Sequence, residues 1–145
     1  IACARLGLMP APTSTQIIQR DRHAELLCAL AVCASSLDMF ALEIRHLART
    51  EVREVEEPFG RGQKGSSAMP HKSNPILAEL LVTLARYNAS QMSAMHHSLI
   101  HEQERSGAAW ALEWMVLPAI AVATARALKA AADLCAKVTQ MGQRE

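Results

Sequence analysis

Ser66, Ser67, Lys72 and Asn74 stand close together in the run Gly65-Ser66-Ser67-Ala68-Met69-Pro70-His71-Lys72-Ser73-Asn74-Pro75. Glycines at 60, 62 and 65 precede the serines, and prolines at 70 and 75 bound the second half. Proline removes a donor and fixes φ, and glycine permits dihedrals that other residues avoid, so the run is a shaped loop. A serine becomes a base only where amides and a nearby cation stabilise its alkoxide and water is excluded. Lys72 and Asn74 would bind a carboxylate by charge and by amide donation. A solvated surface loop would use the same residues, and the residues alone leave both readings open.

Two further groups could do chemistry. Gln16 and Arg20 lie just ahead of a long helical stretch, where Arg20 and Asp21 could equally serve as helix-start pairing. Arg105 is followed by Trp110 and Trp114, two indoles at i, i+4 on one helix face. By themselves the indoles read as core packing, and each offers one N–H and no cation. Of the six histidines, His97 and His101 share a face, but no Glu stands between them as in a helical zinc site. The expectation is no metal and no cofactor. His96, His97 and His101 are expected to form a polar face lining an anionic site. His71 and His101 are the nearest to substrate, and Arg86 is a further carboxylate partner.

Helices must position these groups. From Asp21 to Glu51 there is no Gly or Pro, and Leu26, Leu30, Cys33, Leu37, Phe40, Ile44 and Leu47 fall at alternating steps of four and three. That spacing predicts a long helix with a heptad stripe, widened by Leu27, Ala34, Ala41 and Ala48. Pro58 closes an acidic stretch. A second helix is expected from Pro75, with Asn74 as N-cap and a stripe through Leu77, Leu81, Leu84, Met92, Met95 and Leu99. Ser106-Gly107 interrupts it, and a third helix is expected over 108–141, kinked or restarted at Pro118. The reading is an all-α, long-helix bundle with no sheet, in one helical region spanning 1–145, with the catalytic loop at 60–75.

Composition agrees. Half the residues are hydrophobic and 3% are aromatic, so the core must be Leu, Ala, Ile, Val and Met. The net charge is +1 with no basic run, which argues against nucleic acid or an acidic membrane surface as partner. No unbroken run of about 18 apolar residues occurs, so no membrane span is expected. Cys3, Cys28, Cys33 and Cys135 form no CxxC pair and are expected as buried thiols of a cytoplasmic protein. Ile1 is no initiator, and the chain reads as a piece of something longer. Long apolar stripes predict a helical oligomer.

The loop from Gly65 to Pro75 resembles the signature of the fumarase/aspartase superfamily, GSS-x-MP-x-K-x-NP, at every fixed position. The resemblance implies a central long-helix bundle, of which this chain covers the second half. It also implies a homotetramer whose active sites are each built from three chains. The implied chemistry is anti β-elimination, or its reverse, on a small anionic polycarboxylate of the succinyl type. Ser66 matches the base, and Lys72 and Asn74 match carboxylate binders, with Ser67 and Met69 beside them. The general-acid His of the family lies upstream of this sequence, so an inactive oligomerisation core is the reading from another class.

Residues 13–75 resemble adenylosuccinate lyases, through the stretch from Thr15 to Glu25 and through Glu43-Ile44-Arg45-His46-Leu47 and Thr50 to Phe59. Gln16 and Arg20 match substrate contacts there. Residues 76–138 resemble 3-carboxy-cis,cis-muconate cycloisomerases, through Leu81 to Ala89 and His101 to Trp114. Adenylosuccinate lyases carry Ser and Arg, which hold a phosphate, at the places of Trp110 and Trp114. The loss of that clamp beside Arg105 makes lactonisation of a carboxymuconate the first expectation for the substrate, with adenylosuccinate cleavage the alternative.

Overall fold

The structure is a computed structural model that describes residues 1–57, 59, 60, 62, 66–69, 72–103, 105–138 and 140–142. Three long helices carry the fold: α2 (Asp21–Leu47), α3 (Ile76–His97) and α4 (Gly107–Lys137). A four-residue helix, α1 (Ala2–Arg5), precedes them. Two-residue strands β1 (Val55–Glu56) and β2 (Gln140–Met141) pair antiparallel, with Val55 opposite Met141.

Each helix end has a local cause. α2 opens on Asp21 and has Arg45 in its last turn, charges that complement the backbone dipole. α4 opens on Ser106, whose hydroxyl accepts from the Ala109 amide at 3.5 Å. α3 has no cap of its own. Its first free amides are met by Glu57, a distant residue: Oε1 accepts from Leu77 N at 2.9 Å and Oε2 from Ala78 N at 3.3 Å. Glu57 is buried, so this carboxylate fastens the far end of the 58–75 loop to the start of α3.

The helices alternate in direction. One core cluster joins Ala41 and Ile44 of α2, Ala78, Leu81 and Val82 of α3, and Ala127 to Leu134 of α4. The other joins Ala24 and Leu27, Met95, and Val116 and Ile120. The C-terminal end of α2 therefore meets the N-terminal end of α3 and the C-terminal end of α4. Midway, fully buried Asn88 donates to Thr124 Oγ1 at 2.8 Å, and that hydroxyl donates in turn to Ile120 O. Alanine dominates the contact faces and lets backbones approach closely.

Several expectations are corrected. The buried face of α2 is Ala24, Leu27, Ala31, Ala34, Ala41 and Ile44, whereas Leu26 is 53% exposed. The inner seam is the alanine line beside the leucine stripe, because small residues bring α3 and α4 nearest. α2 ends at Leu47, short of Glu51. α3 begins at Ile76, and Asn74 makes no cap bond because Glu57 occupies the amides. α3 ends at His97, well ahead of Ser106-Gly107. α4 stops at Lys137 and runs as one helix through Pro118. The strand pair is too short to leave a period-two pattern. Cys28 and Cys135 are exposed and Cys3 and Cys33 half-buried, because the packing faces are filled by alanine and leucine. α2 and α4 are each long and apolar enough, by length and composition, to cross a membrane. The sequence expectation missed this because polar residues punctuate both stretches. Only 28% and 33% of those apolar windows are buried within the chain.

The Glu57 contact should be measurable. Glu57→Ala is expected to lower unfolding free energy by about 1–3 kcal/mol, since one buried and one half-buried amide lose their acceptor. Exposed Glu51→Ala should stay within about 0.5 kcal/mol in the same denaturant titration. Ala127→Leu, overfilling the α3–α4 contact, should cost about 1–3 kcal/mol by thermal unfolding.

Candidate active site

At the α3 N-terminal end, the chain turns around the Ser66 side chain. Ser66 Oγ accepts from Met69 N at 3.1 Å and from Ala68 N at 3.3 Å. Lys72 N donates to Met69 O at 3.0 Å and continues the turn. Two amides aimed at one hydroxyl oxygen favour its anionic form, the condition a serine base needs. Ser66 and Asn74 are half-buried, while Ser67, Met69 and Lys72 are exposed. Gly65, Pro70 and His71 lie outside the described residues, as does Pro58.

At the other end of the bundle, Gln16 is exposed on the segment leading into α2. Arg20, the α2 N-cap residue, turns inward. Its Nε sits 3.1 Å from Oε2 of Glu113, and Nδ1 of His23 sits 3.3 Å from Oε1 of the same carboxylate. Glu113 is 4% exposed and occupies the second turn of α4. Sequence reasoning passed over it. The available signal was a lone carboxylate on an otherwise apolar helix face.

Arg105 stacks over Trp110 at 5.1 Å from the ring centroid. Trp110 and Trp114 meet edge to face, 5.2 Å apart at 73°. Trp114 is 66% exposed, so the pair is a rim feature and not core packing. Just before it, His101 Nδ1 accepts from Ser106 N at 3.3 Å, closing the turn that holds Arg105. Gln103, inside that turn, adopts φ 55°. A groove beside the turn is lined by His97, Ile100, Glu102, Ser106, Ala109 and Leu112. His96 and His97 are exposed. Arg86 is spent elsewhere, 3.8 Å from Asp38 on α2. Among the described residues, no three His, Cys, Asp or Glu side chains gather as a metal-binding group.

The structure thus brings Arg20 to α4 and Arg105 to Trp110, both at one end. It keeps Ser66, Lys72 and Asn74 at the opposite end. The 22 residues of α3 separate the two, about 33 Å of helix. One chain does not assemble the whole constellation.

A family model described as lyase matches residues 1–89. Adenylosuccinate lyase of Synechocystis sp. is 48% identical over 134 residues, which cover 92% of this chain and 31% of the relative. Adenylosuccinate lyase of Aquifex aeolicus is 52% identical over 120 residues, 81% of this chain and 27% of the relative. Among solved structures, 3-carboxy-cis,cis-muconate lactonizing enzyme from Pseudomonas putida superposes with TM-score 0.81 at 35% identity, over 95% of this chain and 31% of that one. Fumarate lyase from Mesorhizobium sp. BNC1 superposes with TM-score 0.77 at 29% identity, over 96% of this chain and 29% of that one. The chain spans under a third of the length of these relatives. The likeness to adenylosuccinate lyase does not stop at residue 75, since 134 aligned residues must run far past it.

Ser66→Ala removes the oxygen that orders the turn and no core contact. Hydrogen exchange at the Ala68 and Met69 amides should accelerate, while global stability stays within about 1 kcal/mol by denaturant unfolding.

Proposed function

This chain belongs to the fumarase/aspartase superfamily of lyases, and we propose that it forms part of an enzyme of the adenylosuccinate lyase type. The near half-identity to curated adenylosuccinate lyases along almost the whole chain carries this reading. It displaces the lactonising reading as first choice. The Trp110–Trp114 pair that motivated lactonisation is one rim feature, set against likeness along both halves of the chain.

In the proposed reaction, Ser66 takes the proton from the carbon next to a succinyl carboxylate. The electron pair left on carbon is delocalised into that carboxylate, which Lys72 and Asn74 hold. The C–N bond then breaks, the pair becomes the double bond of fumarate, and the leaving nitrogen takes a proton from a general acid. The two amides on Ser66 Oγ support its place in this scheme. Ser67 and Met69 flank the base. Gln16, Arg20 and Arg105, with Trp110, would hold the remainder of the substrate from the other end of the bundle.

Groups at opposite ends of α3, a helix about 33 Å long, serve one substrate only if copies of the chain bring opposite ends together. The exposed apolar residues Val32, Met39, Met115 and Val122 offer the faces for that association. We therefore place residues 1–145 in the second half of a central bundle domain of a homotetramer with shared sites.

A second reading, a carboxymuconate cycloisomerase, is favoured by one observation. Arg105 stacks on Trp110, and the two indoles stand where adenylosuccinate lyases carry Ser and Arg, an arrangement suited to a substrate lacking phosphate. The full-length enzyme, assayed by absorbance on both substrates, separates the two. Adenylosuccinate turnover at least about 100-fold faster supports the first reading, and the reverse ratio installs the second. Ser66→Ala should lower kcat by about 100-fold or more, the range of a lost acid–base group.

A further inference from the structure

We propose that Glu113 is a positioning residue that sets Arg20 and His23 as a joint anion-binding unit at the α2–α4 end. The proposal rests on the reading of Arg20 as a substrate contact. Each oxygen of Glu113 serves one group from the start of α2: Oε2 meets Arg20 Nε at 3.1 Å, and Oε1 meets His23 Nδ1 at 3.3 Å. The carboxylate reaches across from α4, so one side chain fixes both groups relative to Trp110 on the same helix and to Arg105 just before it.

Two observations set this cluster apart from ordinary helix pairing. The first is its cost. Glu113 is 4% exposed, with Ala109, Val116 and Ile120 filling the same face of α4. A buried ion pair contributes little net stability compared with an apolar residue of similar size. An apolar residue would hold α2 to α4 at least as well, so packing alone does not account for a charge there.

The second is its incompleteness. Arg20 Nε, His23 Nδ1 and Glu113 Oε2 are all out of water, yet none meets a well-aligned hydrogen-bond partner. The groups sit at ion-pair distance with angular freedom left. Catalytic hydrogen bonds in free enzymes are often loose in this way and tighten when the substrate arrives. Glu113 takes the guanidinium through Nε, which leaves the terminal nitrogens of the fork for an incoming carboxylate or phosphate. With Nδ1 against the carboxylate, Nε2 is the nitrogen His23 turns outward, and its side chain is 30% exposed.

The test uses the full-length enzyme with Glu113→Gln, Glu113→Asp, Arg20→Met and the double variant Glu113→Gln/Arg20→Met. Glu113→Gln should raise KM about tenfold or more with kcat little changed, as a displaced binding group does. Glu113→Asp, which keeps the charge, should recover part of the loss. In the Arg20→Met background, Glu113→Gln should add nothing to KM, because its effect runs through Arg20. Additive effects, or a lowered Tm with unchanged KM, overturn the proposal. Calorimetric titration with fumarate and with inorganic phosphate gives a readout independent of turnover. If the wild type turns over neither substrate, the lyase reading fails and Glu113 is judged on those titrations alone. Weaker binding in Glu113→Gln supports the proposal, and the anion affected identifies carboxylate or phosphate as the group held. Binding unchanged or undetectable for both anions overturns it.

Discussion

The contact between Glu57 and the first turn of α3 is the interaction on which the arrangement depends. A helix start leaves amides without partners, and burying them unmet costs about 1–3 kcal/mol each. Here both oxygens of a buried carboxylate from beyond the loop supply the partners. The result is local and long-range at once. The helix gains its cap, and Glu57 is tied to the first turn of α3. Ser66 and its two amide donors lie in the sequence between those two points. A self-contained cap at Asn74 would have started the helix equally well and left Glu57 untied. With Glu57 in that role, Asn74 keeps its amide for another partner.

Charge is distributed unevenly between the two ends. The Ser66 end carries an exposed lysine with no anion beside it in the described structure. The opposite end is partly self-neutralised, with Arg20 against Glu113 and Arg105 against an indole face.

Much of the fold was legible because its signals are local. Chain stretches without Gly or Pro, Ser106 ahead of α4 and the loop glycines mark the elements closely. The inner seam was harder. Leu26 and its partners give the stronger heptad signal, yet Ala24, Ala31 and Ala34 form the buried line. Hydrophobic periodicity locates an apolar sector and not which edge of it lies nearest a neighbour. At the site, Ser66 was legible from its loop. Glu57 and Glu113 were not, because each acts on residues far away in sequence: Glu57 on Leu77, Glu113 on Arg20 and His23. A carboxylate's partner is set by tertiary contact, which no spacing reveals. Substrate preference was weighed on a similarly local signal: two indoles carried the lactonising expectation, whereas likeness to adenylosuccinate lyases runs through both halves of the chain.

The bond from Asn88 to Thr124 has a consequence of its own. Alanine-lined helix faces are smooth, with few protrusions to stop one helix sliding along another. A slip of one turn, about 5.4 Å, would bring one small residue onto another at little steric cost. It would also bury the Asn88 amide against hydrocarbon, because Thr124 keeps its bond to Ile120 O, so the pair admits a single setting of α3 against α4. In that sense the two residues act as a detent. They hold the N-terminal end of α3 and the N-terminal end of α4 at a constant span, although both residues sit midway along the bundle.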